Sequence, residues 1–162
     1  MLTMNQTIIT TVPDKQEFTI TREFDAPREL VFKAYIDSKQ IVRWLGPRDY
    51  VMTIDKNETR NGGTFRFVHT DKSGNKYGFH GVFHEITAPE RIIRTSEYEE
   101  LHEPGHVILE TLKFEILHGD RTRVTTHEVF RSVNDRNGML QADMEQGINE
   151  SYERLDELLR KQ

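Results

Sequence analysis

The sequence predicts an α+β protein: a curved antiparallel sheet of about seven strands wrapped around one long C-terminal helix, with two short helices after the first strand. Three observations carry this. After Pro47 the apolar residues recur with period two over Tyr50–Asn57, Thr64–Thr70, Tyr77–Ile86, Arg91–Tyr98, His106–Leu117 and Arg121–Phe130, the pattern of half-buried strands. Short clusters with turn chemistry separate them, such as Asn61-Gly62-Gly63, Ala88-Pro89-Glu90 and His118-Gly119-Asp120, so antiparallel hairpins are the economical topology. From Asn137 to Arg160 the period becomes helical: Leu140, Met144, Gly147, Ser151, Leu155 and Leu158 draw one stripe, widened by Ile148, Tyr152 and Leu159.

The remaining elements follow in order. Met1 to Gln16 is mixed in character and is expected to be a flexible tail, with a short extended piece at Thr7–Val12. Residues 17–162 are then expected to form a single domain. In Glu17–Phe24, Phe18, Ile20 and Phe24 share one face of a strand, with Arg22 the exception. Asp25-Ala26-Pro27 reads as a cap and first turn, and Leu30, Val31, Ala34 and Tyr35 give the following helix its apolar side. Asp37-Ser38 interrupts it, and a second short helix runs to about Leu45 before Gly46-Pro47 stops it. The last helix places Asp143, Glu145, Glu150, Glu153, Asp156 and Glu157 largely on its solvated side. Its stripe is small in the middle, at Gly147 and Ser151. Because glycine costs a helix about 1 kcal/mol relative to alanine, either a close approach of backbone or an open space above the sheet is expected there.

Composition narrows the partners. The 162 residues carry a net charge of −5 and no run of basic residues, which argues against nucleic acid or an anionic membrane surface. There are no cysteines, so disulfides and thiolate metal sites are excluded. No apolar stretch approaches the roughly 20 residues needed to span a bilayer, and no basic start followed by an apolar run marks a secretory signal. A cytoplasmic location is expected.

The stretches ITREFDAPRELVFKAYIDSKQIVRWLGP, NGGTFRFVHTDKSGNKYGFHGVFHEITAPERIIRTSEY and MEQGINESYERLDELL together resemble the START-like (SRPBCC) superfamily. The match is nearest to the branch related to the C-terminal domain of the Hsp90 ATPase activator, and covers about Phe18 to Leu159. Asp25-Ala26-Pro27 with Val31-Phe32, the Trp44–Pro47 corner, Gly62-Gly63 and Pro89–Ile92 carry it. Ile148 departs from the pattern, which often has tryptophan after the helix glycine. The resemblance implies a helix-grip fold with a cavity between sheet and long helix. Members of the superfamily bind lipids, polyketides and other apolar molecules, some are cyclases, and some assist a chaperone, so the fold does not settle the function.

The cavity wall is the first candidate site. This reading places Trp44, Phe65, Phe67, Tyr77, Phe79, Phe83, Leu112, Phe114, Met144 and Ile148 on the concave face and its cover. An apolar cleft with a few polar groups is what a small-molecule site needs, although ordinary core packing explains the same residues. The expected partner is a small apolar or aromatic molecule, with no cofactor. A chaperone ATPase is the partner of an alternative, co-chaperone-like role, and a polyketide cyclase-like enzyme is a further alternative. No catalytic motif of the branch carries over. Glu110 shares a strand face with Ile108, Leu112 and Phe114. It could act as a general base in an apolar cavity, or pair with Arg66, Arg94 or Arg123. His80 and His84 lie four apart on one strand, about 13 Å at roughly 3.3 Å per residue, too far to share a metal. His102 and His106 lack the further ligands that zinc requires, so no metal site is expected.

Overall fold

The computed structural model describes residues 5–162. Its strands are β1 (Ile8–Thr11), β2 (Glu17–Phe24), β3 (Val51–Asn57), β4 (Thr64–Thr70), β5 (Lys76–Thr87), β6 (Arg91–Tyr98), β7 (Val107–Leu117) and β8 (Arg121–Val129), and its helices are α1 (Arg28–Ile36), α2 (Ser38–Trp44), α3 (Val133–Gln141) and α4 (Met144–Arg160). The strands form one antiparallel sheet in the order β1-β2-β8-β7-β6-β5-β4-β3. The short turns join β3 through β8 as a meander. The α1–α2 segment carries the chain from β2 to the far edge, where β3 begins.

Eight strands replace the seven expected, and the addition is β1. The extended piece expected at Thr7–Val12 pairs as Ile8 to Thr21 through Thr11 to Phe18. Residues 8–11 of the stretch expected to be a flexible tail are therefore held by a strand ladder. Asn5 adds to this by accepting a hydrogen bond from Arg121 at 2.9 Å. Residues 1–4 of that stretch lie outside the described residues.

The long C-terminal helix is two helices. Asp143 takes a left-handed conformation at φ 48°, which one Asp tolerates but a helix cannot continue through. The continuous helix expected from Asn137 is thus α3, capped by Ser132 Oγ accepting from Asp135 N at 3.1 Å, followed by α4. Asp25 is not the cap expected at the start of α1. Pro27 occupies that position without a side-chain hydrogen bond, and Asp25 instead accepts from Arg121 Nε at 2.9 Å. Asp37 caps α2 through Lys39 N at 2.9 Å.

Helix α4 buries Ser151, Tyr152, Leu155, Leu158 and Leu159 against the sheet and the α1–α2 layer. At Ser151 the small side chain serves a close approach, with Oγ accepting from Gly46 N at 2.8 Å. Gly147 is different, because a Cβ there would meet only Pro47 Cγ, at 3.8 Å. Arg154 ties α4 to the same corner by donating to Arg43 O, Gly46 O and Pro47 O. Asp156, expected in water, turns inward to Arg22 (2.6 Å), while Glu157 holds Arg48 (2.6 Å).

Candidate functional site

Strand register fixes what the concave face presents. Phe18, Glu128, Glu110, Arg94 and Phe83 are successive cross-strand partners over β2, β8, β7, β6 and β5, and directly paired residues point to one side of a sheet. A polar row of two carboxyls and a guanidinium thus crosses the face that α4 covers. On one side of it lies the row Ile20, Thr126, Leu112 and Ile92, none of them more than 5% exposed. On the other side lie Ile108, Ser96, Tyr98 and Phe79, all half-buried. The covering helices change in the same direction. Tyr152 and Leu155 of α4 are buried, whereas Met144 and Ile148 on its first turns, and Met139 and Leu140 on α3, are only partly so. The concave face is therefore dry at the α1–α2 end and incompletely covered at the α3–α4 end.

The expected lining divides along this boundary. Trp44, Phe65, Phe67, Phe83, Leu112 and Phe114 are at most 4% exposed and pack as core. Phe114 stacks edge-on against Phe32 and Tyr35, Phe65 lies against Phe67 and Phe83, and Trp44 Nε1 donates to Ala34 O at 2.8 Å. Phe79, Met144 and Ile148 stand at the half-covered end, with Phe79 stacked on Tyr98 at 5.0 Å. Tyr77 is at the rim, where its hydroxyl donates to Asp71 at 3.0 Å.

Glu110 meets Arg94, one of the three arginines expected for it, with Nε 3.3 Å from its carboxylate. Both side chains are 13% exposed, and the guanidinium also lies 5.5 Å from the Phe65 ring centre. The carboxyl with the displaced pKa is Glu128. Burial, then the charge and hydrogen bond of Glu110, push it well above the ordinary carboxylate range, and Arg94 opposes this only in part. A like charge at that range keeps a proton on one member of such a pair. Beyond Glu128 the polar line continues into the core. Burial pushes the Tyr152 phenol up to about 12 and that of Tyr35 well above its usual value. The Tyr35 hydroxyl faces Tyr152 without a well-aligned hydrogen bond. Sequence reasoning misses Glu128 and offers Arg94 only as one of three candidate partners for Glu110, although the alternation of Thr122, Val124, Thr126 and Glu128 along β8 signals the inward position of Glu128. Their meeting with Glu110 depends on the register of three strands.

His69, inward on β4, packs edge-on to Phe79 at 5.4 Å. Burial first, and the Arg154 charge second, lower it to about 4. The other histidines sit at the surface or beside carboxylates. His106 contacts Asp135 at 2.8 Å and His80 contacts Glu99 at 2.8 Å, and among the described residues no three of His, Cys, Asp and Glu cluster as a metal site would need. A groove of about 410 Å³ lies on the opposite, outer face of the sheet, over Thr64, Arg66, His80, Val82, Thr95 and Glu97. Its charges are engaged with each other. Arg66 holds Glu99 at 2.8 Å, and His80 stands between Glu99 and Glu97. No helix among the described residues is long and apolar enough to cross a membrane.

Known proteins of similar structure share this architecture. A protein from Arthrobacter aurescens solved by NMR superposes with a TM-score of 0.85 at 28% identity, over 96% of this chain and 92% of that one. A Rhodobacter sphaeroides crystal structure gives 0.85 at 25% identity, over 95% and 99%. The AHSA1 protein from Silicibacter pomeroyi, at 21% identity and a TM-score of 0.73 over 89% and 97%, shares the fold. No curated protein sequence matches. The α+β, helix-grip arrangement and the START-like resemblance are thereby shown. Residues 25–160 match the family described as activator of Hsp90 ATPase homolog 1-like proteins, and with that span matched the chain belongs to this family.

Proposed function

We propose that the protein binds a small, largely apolar molecule in the cleft between β5–β8 and the first turns of α4. The observation that carries this is the half-covered end of the concave face. There Phe79, Tyr98, Ile108, Met144 and Ile148 are incompletely buried beside a polar row, whereas Phe65, Phe67, Phe83 and Phe114 are packed dry. Apolar surface left partly in water is worth about 25 cal/mol per Å² to whatever removes it, and the polar row supplies orientation. The six buried residues of the expected lining shape the floor from behind.

Positions on the two sides of the sheet, one on β6 and one on β5, allow a direct test. Ser96 of β6 is on the concave side by register, paired with Ile108, and also borders the outer groove, whereas Val82 of β5 lies on the outer groove. Ser96→Phe is expected to weaken binding of the neutral apolar dye diphenylhexatriene about tenfold, equivalent to about 1.4 kcal/mol, while Val82→Phe leaves it unchanged. Loss in the Val82 variant and retention in the Ser96 variant would move the site to the outer face.

A further inference from the structure

Resting on the cleft reading, we infer that the ligand carries a protonated amine, seated against the Glu110–Glu128 pair. The charges facing this point come from every element around it: Arg94 from β6, Glu110 from β7, Glu128 from β8, Arg22 from β2, and the phenols of Tyr35 on α1 and Tyr152 on α4. Arg22 is taken, since both its terminal nitrogens hold the Asp156 carboxylate at 3.1 and 2.6 Å. Arg94 remains as one cation for two carboxyls. It reaches Glu110 through a single contact at 3.3 Å, with no contact inside 4 Å to Glu128. Among the described residues Glu128 has no cationic partner within that range.

This leaves room for one more positive charge. Without ligand, burial and the neighbouring Glu110 favour a proton on Glu128. An ammonium group takes the place of that proton, which leaves to solvent, so the charge stays matched. The surroundings suit such a group. The Phe79 and Tyr98 rings, 5.0 Å apart, offer π-faces beside the cleft. An anionic ligand would compete with Glu110 for Arg94 and leave Glu128 further unbalanced.

The test compares 2-phenylethylamine with 2-phenylethanol, equal in size and differing in charge, by calorimetry and amide chemical-shift mapping at pH 7. The wild-type protein is expected to bind the amine at least about tenfold more tightly, with shifts centred on Ser96, Glu110 and Glu128. Glu128→Gln and Glu110→Gln, which keep shape and remove a carboxylate, are expected to abolish the preference by bringing the amine's affinity down to that of the alcohol. Glu115→Gln, which removes an exposed carboxylate elsewhere on β7, should preserve the preference. If the alcohol binds the cleft as well as the amine does, or if Glu128→Gln retains the preference, the amine inference is overturned and the cleft stands. If neither probe shifts any residue of the cleft, the binding reading falls with it.

Discussion

Asp156→Ala is expected to destabilise the protein by about 3 kcal/mol, near the lower end of what an orphaned buried charge costs. Arg22 is 4% exposed on an inward strand position, wedged with its guanidinium 4.9 Å from the Phe24 ring and 5.8 Å from that of Tyr152. Asp156 satisfies it through two hydrogen bonds, and Glu23 O accepts a third from Nη1 at 2.7 Å. Without the carboxylate, a charge sealed under α4 keeps one backbone acceptor. Asp156 itself is 23% exposed, which moderates the loss. Urea unfolding measures it. The double replacement Arg22→Met with Asp156→Leu should recover most of the stability, since apolar residues of similar volume commonly replace a buried pair without loss. A single-variant cost below about 1 kcal/mol would mean the pair does not hold the helix.

The second large effect is acid destabilisation through His69. Its half-buried imidazole lies between Phe79 and the Gly46 corner, close enough that a Cβ on Gly46 would lie 2.7 Å from the ring, and Nδ1 has no hydrogen-bond partner. Burial and the Arg154 charge lower its folded pKa to about 4 from 6.5. A depressed folded pKa gives a defined sign. The stabilising contribution is complete above pH 6.5, declines as pH falls between 6.5 and 4 while the unfolded state alone takes the proton, and is gone below the folded pKa. At 1.36 kcal/mol per unit the difference is worth on the order of 2–3 kcal/mol after allowance for partial exposure. Urea midpoints at pH 7 and pH 4 should therefore converge for His69→Gln relative to wild type by that amount. Parallel losses in the two proteins would show that the imidazole titrates normally in the fold.

The parts of the fold visible in the sequence are those where one residue type decides. Alternation bounded by Gly, Pro, Asn and Asp placed the meander, and the stripe through Ser151, Leu155 and Leu158 placed α4. The break before Met144 was hidden because it rests on a single left-handed Asp143, while the apolar spacing runs on through Leu140 and Met144 as if uninterrupted. The strand β1 was hidden by its shortness, four residues whose pairing depends on β2 being there to receive them.

The site was legible residue by residue but not as a set. The inward side of Glu110 could be anticipated from strand parity, whereas the choice of Arg94 over Arg66 and Arg123 rests on the β6–β7 register. Glu128 could not be placed beside it without the β7–β8 register. Arg22 is the exception in an apolar strand face, and its counter-charge, Asp156, lies far along the chain. Aromatic content alone likewise could not separate Phe114, packed among Phe32 and Tyr35, from Phe79 at the half-covered end. Burial is decided by what α1, α2 and α4 lay over each ring.

Native mass spectrometry of the protein, purified gently from its own cells and compared with the same sample denatured, tests the cleft most directly. An additional mass in the native spectrum is expected, one that disappears on denaturation, is absent from Ser96→Phe and persists in Val82→Phe. A clean unliganded mass for the wild-type protein that stays unshifted when diphenylhexatriene is added would contradict a binding role for the concave face.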